Sequence, residues 1–169
     1  MAWTDSRIFT QAMFNPLLAA AWSTTEPTTY GANGLSADNI AVTLWGTGIT
    51  PNKDDVVGNT GYNTGQWASG SNEIKDATNW PAGGASNLLA GKAFTAGSGN
   101  VMFDANDRAG NGNVTIAAAF GCLVHDDTIT AGTVAKQGLC YNYFGGSQSV
   151  TAGTFTVVWD VTGVFKFTN

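Results

Sequence analysis

The chain has 169 residues, enough for one domain with a sizeable core, and 43% of it is apolar, which excludes wholesale disorder. Charged residues make up 11%, against about 25% in an average soluble domain, and 7 Lys plus Arg against 12 Asp plus Glu leave a net −5. With no basic run or Arg cluster, nothing can neutralise phosphates, so a nucleic-acid binder is excluded, and an anionic membrane surface would repel the chain.

In place of charge stand 22 Gly and 22 Thr with many Asn, Ser and Ala, a turn-rich and β-rich composition. Ser6 is placed to cap a short helix running to about Asn15, with Ile8, Phe9, Ala12 and Met13 as its apolar stripe. Pro16 ends or kinks it. The longest apolar run near the N-terminus, Leu17–Trp22, falls short of the ~20 residues that span a bilayer. Asp5 and Arg7 cancel, and Gln11, Asn15 and Pro16 interrupt the stretch, so a secretion signal is not expected and synthesis in a cytoplasm is. Residues 23–37 are rich in Thr, Gly and Pro and read as a connector. Trp3, Ile8, Phe9, Met13 and Leu17 either pack on the chain's own body or dock on a partner. They offer more apolar surface than a short helix needs for itself, so they are expected to contact a neighbouring subunit.

From residue 38 the period changes to two. Ile40, Val42 and Leu44 alternate with Ala41, Thr43 and Trp45, and Val114, Ile116, Ala118, Phe120, Cys122 and Val124 share one face of a long strand. Residues 47–100 are mostly loop, with strand candidates at Gln66–Ala68 and Glu73–Lys75. Leu139, Tyr141 and Tyr143 alternate with Cys140, Asn142 and Phe144. Phe155, Val157 and Trp159, then Phe165 and Phe167 beyond Gly163, read as a hairpin central to the core. The expected fold is all-β: an antiparallel β-sandwich or barrel-like domain over 38–169, with residues 1–37 as an N-terminal arm carrying a short helix and connector.

Few groups point to chemistry. His125-Asp126-Asp127 places three residues side by side at a strand end, where consecutive side chains diverge, and reads as a solvated turn rather than a catalytic set. Glu26 and Glu73 are the only glutamates, and Asp54-Asp55 looks like a pair of turn acids. Asp104, Asn106 and Asp107 lack the acidic or amide residue and the Gly that a calcium loop needs next, where Arg108 and Ala109 stand. Cys122 and Cys140, the only cysteines, cannot make a zinc site alone and read as reduced, buried strand residues. Trp67 and Trp80, if exposed, could stack on sugar rings; otherwise they fill a core short of Leu and Ile. The chain is expected to be no enzyme and to need no cofactor and no metal.

Several stretches resemble one family. These are Asn59-Thr60-Gly61-Tyr62, Gly65-Gln66-Trp67, Asn79-Trp80-Pro81-Ala82-Gly83-Gly84, Gly121-Cys122-Leu123-Val124, Gly138 through Gly146, and Gly153-Thr154-Phe155-Thr156-Val157-Val158-Trp159. Together they resemble small virion proteins of tailed bacteriophages of actinobacteria, over most of the chain from Ile40 onward. The resemblance implies a structural role, with capsid decoration (cement) foremost and no catalytic residues to carry over. The expected partners are the major capsid protein and other copies of the chain, a trimer being preferred, on the outer capsid surface of the virion. A tail- or fibre-associated protein, with a carbohydrate-binding surface around Trp67 and Trp80, is the alternative.

Overall fold

The period-two runs at 114–124 and 139–144 become the two longest strands. In a computed structural model, which describes residues 3–10, 34–97, 100–130 and 134–168, β1 is Arg7–Ile8 and a four-residue helix α1 is Gly34–Ala37. There follow β2 (Ile40–Trp45), β3 (Glu73–Ile74), β4 (Ala93–Gly97), β5 (Asn100–Asp104), β6 (Arg108–Ala109), β7 (Val114–Asp126), β8 (Gly138–Gly153), β9 (Thr156–Val157) and β10 (Phe165–Thr168). The fold is all-β and antiparallel, and no helix of seven or more residues occurs among the described residues. A five-stranded sheet runs in the order β1-β8-β7-β2-β3, a three-stranded one β10-β5-β4, and β6 pairs with β9.

The five-stranded sheet is buried on both faces at its centre: all six residues of β2 are buried. Opposed residues in an antiparallel pair share a face. Ile40, Val42 and Leu44 therefore lie with Val124, Cys122 and Cys140, while Ala41, Thr43 and Trp45 lie with His125, Leu123, Gly121 and Tyr141. Aromatic rings cover the second face. Trp67 meets Trp45, Trp3 and Phe9 edge-on with centroids 5.3, 5.9 and 6.0 Å apart, and Phe9 meets Tyr141 at 5.5 Å. Such pairs add about 0.5–1.5 kcal/mol each beyond the burial itself. The Trp3 indole donates to Gly46 O at 2.9 Å and that of Trp45 to Thr43 Oγ1 at 2.9 Å, so both rings enter the core with their polar atom satisfied.

Four expectations are corrected. Ser6 does not cap a helix: its Oγ accepts from Tyr143 N–H at 2.7 Å, and Arg7 and Ile8 pair with Tyr141 and Cys140 as an edge strand. Sheet pairing thus overrides the local stripe over residues 6–9, and the rest of the expected helix, residues 11–15, lies outside the described residues. Through β1, residues 7 and 8 join the edge of the five-stranded sheet. The single-faced alternation expected of 114–124 breaks at Ala118, whose φ of 55° accompanies a register shift. Val114, Ile116 and then Ala119 are buried, while Ala118 is exposed. The C-terminal hairpin does not form: β9 pairs with β6 and β10 with β5. Only an isolated bridge, Asp160 to Gly163, joins the two runs at their turn. Lastly, Gln66–Ala68 is no strand, since Gly65–Trp67 makes a 3-10 turn that drops Trp67 into the core.

Candidate functional site

The expected partner contacts separate into three groups. Trp3 and Phe9 are buried in the chain's own core, at 5% and 0% exposure, so they present no surface to a neighbour. Ile8 is half-buried against the same core. Met13 and Leu17 lie outside the described residues. Two glycines explain the seating of the first pair. A Cβ on Gly121 would stand 2.6 Å from the Trp3 ring, and one on Gly138 would stand 2.7 Å from the Phe9 ring. Trp67 and Trp80 are fully buried as well, which removes the sugar-stacking surface expected of them.

Of the exposed large apolar side chains among the described residues, Val56, Val158 and Val161 stand singly, and Phe94, Val101 and Phe167 are gathered on the three-stranded sheet. Register places Phe94, Phe103 and Phe165 in one cross-strand row and Val101 and Phe167 in the next row of the same face. The rings form a continuous ladder, with centroids 5.0 Å apart for Phe94 and Phe103, 5.2 Å for Phe103 and Phe165, and 5.6 Å for Phe165 and Phe167. Phe103 and Phe165 are buried, but Phe94, Val101 and Phe167 are 45%, 41% and 36% exposed. The core therefore runs out along this face into solvent. Lys166 and Thr95 project on the opposite face. Sequence reading assigned Phe94 to a loop-rich stretch. The missed signal is a pair of alternating apolar runs, Phe94 with Ala96 and Val101 with Phe103, on either side of the sequence Gly97-Ser98-Gly99, which is a hairpin pattern.

The histidine group is not a solvated turn. His125 and Asp126 are fully buried. The His125 ring stacks on Tyr62 at 4.9 Å between centroids, and its Nε2 lies 3.8 Å from Asp127 Oδ1, beyond hydrogen-bond reach. Lys136 Nζ pairs with that same oxygen at 2.6 Å and sits 5.6 Å from the Tyr62 ring. Tyr62 Oη donates to Glu73 Oε2 at 3.0 Å, and Gly83 N–H donates to Oε1 at 2.8 Å. Burial holds His125 below its ordinary range, and burial raises Glu73 and, together with the neighbouring Glu73 charge, Tyr62. The His125 ring and the Lys136 ammonium beside it keep Asp127 low. This cluster clamps the 60–64, 73–83 and 136 segments onto the end of β7, and it is closed to solvent at the histidine.

Next to it, burial and then the Asp38 charge push Asp126 up to about 7, while Thr128 N–H donates to its Oδ1 at 2.9 Å. Asp104 and Asp107 serve the backbone, accepting from Ala105 N–H and Trp159 N–H at 2.9 Å each. Cys122 and Cys140 are both buried and unbridged, and burial raises both thiols, Cys122 to about 12. Among the described residues no three His, Cys, Asp or Glu side chains stand together as metal ligands, and no helix is long and apolar enough to cross a membrane. No protein-family model matches the chain, and neither a curated protein nor a solved structure matches it.

Proposed function

We propose that the chain is a structural virion protein that decorates the outside of a tailed-phage capsid and ties adjacent major capsid subunits together. The observation that carries this reading is the phenylalanine ladder. Phe94, Val101 and Phe167 extend the core onto an exposed face of the three-stranded sheet, and such a face gains by being covered. A rigid body with 11% charged residues suits burial against neighbours, because few ions must shed water on contact. The net charge of −5 argues against a seat on packaged DNA and for the outer surface. The motif resemblance supplies the virion context. Repeated seating of several copies, three about a three-fold position being the preferred arrangement, adds avidity to weak single contacts.

The test is incorporation. Phe94→Asp with Phe167→Asp, both at exposed positions, should leave a folded protein that no longer loads onto particles, and particles without it should burst at lower temperature. Copy number in purified virions should run to hundreds. Full occupancy of the double variant overturns the ladder as the contact face, and a protein found only at the tail replaces the capsid reading.

A further inference from the structure

At the irregularity midway along β8 the chain builds an open groove. Tyr143 pairs with Gly121 and Gln148 with Ala119, so Phe144–Ser147 stand opposite the single residue Phe120. Gly145 and Gly146 absorb the excess at φ 76° and 158°, and a Cβ at either would meet nothing within 4 Å. Tyr143 and Phe144, at the foot of this excursion, form one wall with Gln148–Val150. Thr154–Val158 form the other, and the space between is about 530 Å³.

The lining is uncharged throughout, in a chain that carries 19 charged side chains, 7 basic and 12 acidic. Its floor is aromatic. Half-buried Phe144 lies 6.3 Å from buried Phe155, which is itself braced edge-on by Trp80 at 5.7 Å. Its rim carries the exposed hydroxyls of Ser149, Thr154 and Thr156 beside exposed Gln148 and Val158. Ser149 Oγ accepts from Ala118 N–H at 2.9 Å, which leaves its own O–H to donate.

A charged ligand would lose water here and meet no counter-charge. A wholly apolar one would strand the rim hydroxyls. A ligand that offers C–H faces to a ring and hydroxyls to hydroxyls satisfies both surfaces. We propose that this groove binds neutral carbohydrate, a sugar ring stacking on Phe144 with its hydroxyls on Ser149, Thr154 and Thr156. The site shares no residue with the phenylalanine ladder, and it stands whether the chain sits on a capsid or a tail.

The test titrates the 15N-labelled full chain with maltohexaose, cellohexaose, mannohexaose and xylohexaose. At least one should shift amide resonances at 144–150 and 154–158 and leave those of the ladder unmoved. Phe144→Ala should weaken that binding tenfold or more. Thr156→Arg, a change at an exposed position, should do the same with the spectrum of the rest of the fold intact. The proposal is overturned if none of the four sugars moves these resonances at millimolar concentration. It is equally overturned if Thr156→Arg binds as well as the parent, or if an uncharged Thr/Val hexapeptide occupies the groove and the sugars do not.

Discussion

Trp3 and Gly121 are shaped to each other: a methyl group on Gly121 would sit 2.6 Å from Cζ3 of Trp3 and 2.5 Å from Asn142 O. Trp3→Ala should cost about 3–5 kcal/mol, as a buried large-to-small change does. Gly121→Ala should cost about 1–3 kcal/mol by overpacking. In the double variant the costs should fall short of their sum, because the ring no longer opposes the methyl, although the Asn142 carbonyl still does. Denaturant melts of the four proteins measure this coupling, and strict additivity would show that the two residues do not touch.

Two tryptophans of equal size should behave unequally. Trp67 is fully buried and rings four other aromatic side chains, so Trp67→Ala should cost about 3–5 kcal/mol. Trp159 is half-exposed, and its indole donates to Asn106 O at 3.1 Å, so Trp159→Ala should cost about 1–2 kcal/mol. Similar midpoints for the two variants would contradict the assigned burial.

Stability should carry two opposing pH slopes from adjacent residues. Asp126, at about 7 when folded against an ordinary value of 3.8, holds a proton in the native state that the unfolded chain has released. Its contribution is present below about pH 4 and is lost as pH rises toward 7. His125 is depressed below 6.5, so its contribution is present above that value and is lost as pH falls. Asp126→Asn should therefore gain on the parent as pH rises from 4 to 7.5, and His125→Phe should gain on it as pH falls below 6.5. A parent–variant difference that stays flat with pH in either case overturns the corresponding assignment.

Legibility in the sequence followed the range of the forces involved. The alternating runs at 40–45, 114–124 and 139–144 announce themselves because period two is local, and so the all-β class is plain, whereas the continuation of β8 through the Gly-, Ser- and Thr-rich stretch to residue 153 carries no such mark. Ala118 hides its φ of 55°, since an alanine gives no sign of a bulge. The apolar stripe of 8, 9, 12 and 13 favours a helix until a strand more than a hundred residues away claims Arg7 and Ile8. Gly121 and Gly138 carried the missing information, as two glycines inside strands that otherwise want side chains, but nothing local names the rings they receive. The turn at Gly163 is legible, yet the partners of its flanking runs lie 47–49 residues earlier in β6 and 62–68 residues earlier in β5. The phenylalanine ladder went unread for the same reason, because Phe94, Phe103 and Phe165 become neighbours only through pairing.

The pairing of β1 with β8 also orders events during synthesis. Ser6 and Tyr143 are 137 residues apart. At ribosomal speeds of roughly 5–20 residues per second, the first segment waits on the order of ten to thirty seconds for the strand it joins. Throughout that interval Trp3 and Phe9 are aromatic side chains without a home, since Gly121 and Gly138 have yet to be made. Closure of the central sheet is thus a late step of high contact order. A chain arrested before residue 138 would emerge with its most apolar N-terminal residues uncovered, in the form most open to chaperones and to its own neighbours on the polysome.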